Sequence, residues 1–142
     1  MDAKTCPCWL RAVLFGVAYF SLGMLISALA RSTASNHARV IWRLAAWGVS
    51  GVIYLSHIAY EHFRLRQLPS SIAVHAASGA TLGAFGLAVA AAIHIHSLTN
   101  APFRPAYLVA LVAWPALIAL PALLVALAVA AALARLPRRS QR

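Results

Sequence analysis

The sequence predicts an all-α integral membrane protein, a bundle of four transmembrane helices in antiparallel up-down order, and three observations carry that prediction. First, 63% of the 142 residues are hydrophobic and only 10% are charged, against about 45 to 50% and about 25% in ordinary soluble domains. A chain this short leaves much of its area on the surface, so the apolar surplus needs lipid rather than water. Second, the apolar residues fall into four long stretches separated by short polar segments, a spacing that makes neighbouring helices antiparallel. Third, the twelve basic residues, which give a net charge of +10, sit between and beyond those stretches. Charge placed this way orients membrane helices and does not suggest a nucleic-acid partner.

Residues 1–142 read as one membrane domain. After a leader carrying Lys4 and Arg11, the run Ala12–Ala30 is 19 residues without a charge, close to the roughly 20 that cross the hydrocarbon core. Ala28-Leu29-Ala30 also resembles a signal-peptidase site. The apolar run exceeds the usual 7 to 15 residues of a signal, so a retained helix is the expectation. Gly16, Phe20, Gly23 and Ser27 give it a face suited to packing.

A polar loop, Arg31–Ala38, leads to a second helix expected over 39–63, with Leu44–Tyr60 as its uncharged centre. One stripe of this helix is polar. Arg39, Arg43, Trp47, Ser50, Tyr54, His57, Glu61 and Arg64 recur in steps of four and three, which returns them to one face. In lipid such a face belongs against other helices or a water-filled cleft. Ser50 and Tyr54 are expected to bond between helices, and Arg64 or Arg66 to neutralise Glu61 at the interface.

Pro69-Ser70-Ser71 reads as a turn with a serine N-cap before a third helix over 72–98. Gly79 and Gly83 are spaced G-x-x-x-G there, so another helix can approach closely, within the chain or from a second copy. A loop through Pro105 precedes the fourth helix, 106–134, in which Pro115 and Pro121 favour kinks. A basic tail with Arg135, Arg138, Arg139 and Arg142 follows.

If all four helices span, Lys4, Arg11, Arg64, Arg66 and the four tail arginines share one side, against Arg31, Arg39, Arg43 and Arg104 on the other. That excess puts both termini in the cytoplasm of a bacterial-type inner or plasma membrane. Trp9, Trp42, Tyr60 and Tyr107 read as interfacial anchors.

Chemistry is scarce. Asp2 and Glu61 are the only acidic residues, which leaves almost no room for paired acid/base catalysis or an all-carboxylate cation cage. No enzymatic role is expected. The best cluster is His57, Glu61 and His75: His57 lies about one and a half turns before the end of helix two, and His75 is at similar depth in helix three. Two imidazoles and a carboxylate suit a proton relay, a transition metal or haem ligation between helices. No Glu-x-x-His motif supports a metal, and the cofactor stays open. His37, His94 and His96 read as interfacial polar residues. Cys6 and Cys8 are too few for a closed zinc site and read as an inert or lipid-facing pair.

Three functional readings follow. The first is a non-enzymatic bundle or accessory subunit of a membrane complex, whose partners are the lipid bilayer and further copies or other subunits. The second is a small proton-coupled transporter using His57, Glu61 and His75. The third is a haem-binding or metal-binding electron-transfer subunit.

Overall fold

In the computed structural model of the chain, which describes residues 8–33, 35–99 and 105–135, all regular structure is helical. The elements are α1 (Cys8–Ser32), α2 (Asn36–Leu65), α3 (Pro69–Thr99) and α4 (Pro105–Arg135). Each extends a few residues past its predicted apolar core, because polar residues at a membrane interface keep helical hydrogen bonds after the hydrophobic signal has ended. Cys6, the loop holding Arg104 and the arginines beyond Arg135 lie outside the described residues.

The turn between α2 and α3 differs from the expected one. It contracts to Arg66, Gln67 and Leu68, with Arg66 in the left-handed region at φ 51° closing α2. The helix that follows starts on Pro69 itself, not after a serine cap. Proline suits a first helical position because its ring fixes φ and its missing N–H would have no intrahelical acceptor there. Pro105 opens α4 in the same way. Pro115 and Pro121 lie inside α4 without interrupting it.

Side-chain pairings fix the topology. Phe15 meets His57 while Tyr19 meets Tyr54, so the partner number falls as α1 advances and α1 and α2 are antiparallel. Gly16 lies against Gly79 and Leu82, and Gly23 against Leu87; there the numbers rise together, and α1 and α3 are parallel. Helix α3 packs on both α1 and α4, and α2 touches the other three. The order is up-down-up-down.

Two kinds of packing hold the bundle. Along the seam between α1 and α3 the backbones nearly touch: a Cβ built on Gly83 would stand 2.6 Å from the Cβ of Tyr19 and 3.1 Å from the carbonyl oxygen of Gly16. Small residues at such a seam give van der Waals contact where lipid offers no hydrophobic drive for association. Near the α2–α3 turn, Tyr54, Ile58, Ile72, Ala73, Ala76, Ala126 and Ala130 form the buried core.

Outside these contacts the surface is apolar. On α4, Leu108, Val109, Val112, Leu117, Leu120 and Leu124 all face outward, far beyond what a monomer in water exposes in one patch. Three helices, α1, α3 and α4, are long and apolar enough to cross a membrane, and the chain is a membrane protein. The remaining one, α2, has 30 residues but less apolar character, because its stripe replaces apolar residues with Arg, His, Ser, Tyr and Glu.

Candidate functional site

The cluster sits at the end of the bundle where α2 closes and α3 begins. His57 and Glu61 are one turn apart on α2, and both are 1% exposed. His75, on the second turn of α3, brings its ring to the same level across the short turn. Thus two imidazoles converge on one carboxylate. Glu61 Oε1 lies 3.4 Å from His57 Nε2, and Oε2 lies 3.3 Å from His75 Nδ1. With the carboxylate ionised, the Nδ1–H of His75 donates to Oε2.

The approach of His57 lacks hydrogen-bond alignment, and neither of its ring nitrogens has a hydrogen-bond partner. Its ring is held by stacking instead. Phe15 of α1 lies flat against it, with ring centroids 3.6 Å apart and planes 9° apart. This close parallel contact sets α1 against α2 at the polar cluster. Glu61 therefore ties α2 to α3 through His75 and, through His57 and Phe15, to α1.

The arginines expected to neutralise Glu61 are placed otherwise. Arg64 and Arg66 are exposed, and the carboxylate turns inward to the imidazoles. One turn above His57, Tyr54 donates its hydroxyl to the carbonyl oxygen of Ala122 on α4 at 2.6 Å. That carbonyl is not one released by a proline, since Pro121 frees the carbonyl four residues earlier, at Leu117. Ser50 is half-buried. Gly79 and Gly83 both face α1 of the same chain.

The opposite end of the stripe is covered only in part. No residue of α2 from 36 to 53 is buried, Trp47 is 77% exposed, and a Cβ on Gly48 or Gly51 would meet nothing within 4 Å. His37, His94 and His96 are also exposed.

The cofactor chemistry can be weighed from this geometry. Among the described residues, no three His, Cys, Asp or Glu side chains are grouped to hold a metal ion. The carboxylate of Glu61 is turned to both imidazoles, Oε1 toward His57 and Oε2 toward His75. Surface grooves of about 470 Å³, lined by Val17, Phe20 and Phe85 among others, and about 210 Å³, near Leu111, are apolar and lie away from the cluster.

Phe15 and Tyr19 were not legible as site residues. Their only sequence signal is their four-residue spacing on α1, which places two aromatic rings on one face; which partner they meet depends on the tertiary arrangement. Against protein-family models, curated proteins and solved structures, the chain matches none.

Proposed function

We propose that this chain is a non-enzymatic, multi-pass membrane protein that serves as a subunit or accessory of a larger membrane complex, and that the outer half of α2 receives the partner. The observation that carries this is the contrast along one stripe. Its inner end is fastened by Glu61, whereas Arg39 and Arg43 are exposed with no carboxylate near them among the described residues. Arginine in or beside the hydrocarbon layer needs a counter-charge or a polar surface.

Charge selects the kind of partner. A second copy of this chain brings more arginine to the face, and its one membrane-level carboxylate, Glu61, is enclosed. A different chain bearing carboxylates near the outer interface fits better. In this reading both termini are cytoplasmic, α2 is a fourth span, and its flanking arginines reach the two interfaces.

A photo-reactive amino acid at Trp47, with one at Leu124 on the lipid face of α4 as reference, tests the proposal in native membranes. The expected result is one discrete protein adduct from position 47, absent from position 124 and lost when Arg39 and Arg43 are changed to Glu. Lipid adducts alone, or a self-adduct, would overturn it.

A further inference from the structure

We propose that the end of the bundle where α2 and α4 finish binds the phosphate of an anionic phospholipid, held by Arg64, Arg66 and Arg135, with its acyl chain along the outer face of α4. The proposal does not depend on a partner for the N-terminal half of α2. It stands on where the three arginines lie, on the charge around them and on the apolar face that leads to them.

Position comes first. In the up-down-up-down order α2 and α4 are parallel, and Tyr54 bonds the carbonyl oxygen of Ala122, 68 residues further along the chain. The same offset sets Arg64 and Arg66 level with the last turn of α4, which closes on Arg135. Tyr54 and Ile58 share one buried core with Ala126 and Ala130, so the two helices are still packed together as they approach this end. Axes of packed helices lie about 8 to 10 Å apart, and all three arginines are exposed. They border a single patch.

Charge comes second. Among the described residues none of the three makes an ion pair. The chain has two acidic side chains, Asp2 and Glu61. Asp2 lies outside the described residues, and Glu61 is enclosed with its oxygens toward His57 and His75. Arg11 of α1, at the same end of the bundle, has Nε and Nη1 buried and brings no negative charge. The first turn of α3 holds no acidic residue either. Guanidiniums at a membrane interface call for a counter-charge, and the planar fork of arginine matches phosphate oxygens in pairs.

The apolar face gives the source of that phosphate. Leu117, Leu120, Leu124 and Leu127 are exposed on α4 at steps of three and four, and Arg135 returns to the same face two turns beyond Leu127. From Leu124 to Arg135 the helix rises about 16 Å, close to the roughly 15 Å of hydrocarbon in one leaflet. A lipid whose chain lies along these leucines therefore brings its phosphate to the level of Arg135. A zwitterionic headgroup carries an ammonium with the phosphate, which the arginines repel. A headgroup without a cation is favoured, by roughly fivefold for each arginine near the surface.

For the test, the full chain is reconstituted in vesicles of equal parts phosphatidylglycerol and phosphatidylcholine with identical acyl chains. It is then released into mild detergent and weighed with its retained lipids by native mass spectrometry. At least about tenfold more phosphatidylglycerol than phosphatidylcholine is expected. The combined change Arg64→Gln, Arg66→Gln and Arg135→Gln, with helix content checked by circular dichroism, is expected to bring the two lipids within about twofold. Arg39→Gln with Arg43→Gln, at the opposite end, is expected to keep the preference. In the unmodified chain, the thermal unfolding midpoint in phosphatidylcholine bicelles is expected to rise when phosphatidylglycerol is mixed in, and to stay when inorganic phosphate is added. Equal retention by the unmodified chain, a preference that survives the triple change or is lost in the Arg39 and Arg43 change, no rise with phosphatidylglycerol, or an equal rise with inorganic phosphate would overturn the proposal.

Discussion

The two halves of α2 share one helix and one polar stripe, yet they live in different surroundings. From Tyr54 to Glu61 the stripe is buried, bonded to α4 at Ala122 and set against α1 and α3 at Phe15 and His75. From Arg39 to Ser50 the same periodicity continues with no buried residue. Periodicity therefore decides which residues share a face, while the neighbouring helices decide how far along that face is covered. What covers the C-terminal half is specific: an aromatic ring, an imidazole and a carbonyl, each placed by a different helix.

The sharpest way to break this contrast is to remove its charged centre. Glu61→Ala leaves the buried ring of His57 and the half-buried ring of His75 without their shared carboxylate, and the expected loss is about 1 to 3 kcal/mol, the scale for buried polar groups left without a partner. Reversible unfolding in mixed micelles, followed by circular dichroism, measures it. Arg43→Ala, on the same stripe, is expected to change stability by less than about 0.5 kcal/mol in the same assay.

Gly83→Ala and Gly48→Ala compare a closed backbone with an open one. The added methyl at 83 meets Tyr19 at 2.6 Å, and overpacking of this kind costs about 1 to 3 kcal/mol. At 48 nothing lies within 4 Å, so the lower entropy of alanine in a helix is expected to stabilise by up to about 1 kcal/mol. Opposite signs in the two unfolding midpoints are the predicted outcome.

A smaller effect separates the hydroxyls. Tyr54→Phe removes one short hydrogen bond to Ala122 and is expected to cost about 1 kcal/mol. Ser50→Ala, at the boundary of the two halves, is expected to stay within about 0.5 kcal/mol. A cost at Ser50 equal to that at Tyr54 would mean that the packed region reaches further along α2.

Much of the fold was legible because its signals are local. Apolar run length marks α1, α3 and α4, and prolines with short polar segments mark the turns. Even so, Pro69 shows the limit of local reading: the serines after it look like caps, but the proline's own geometry starts the helix. For the site, equal depth across a short antiparallel turn was enough to bring His57, Glu61 and His75 together on paper. The direction of the Glu61 carboxylate was not, because Arg64 and Arg66 are equally near in sequence. Only the arrangement of three helices turns it inward, and only that arrangement brings Phe15 onto His57. That the N-terminal half of α2 holds no buried residue is invisible to sequence for the same reason, since Gly48 and Gly51 read like the packed glycines of α1 and α3.

The central claim is that Glu61 is held between two imidazoles, and a through-space carbon–nitrogen correlation experiment on the full chain in bilayers tests it most directly. Cross-peaks from the Glu61 carboxyl carbon to ring nitrogens of both His57 and His75 are predicted. A carboxyl carbon correlated with the guanidinium of Arg64 or Arg66, and with neither imidazole, would contradict it.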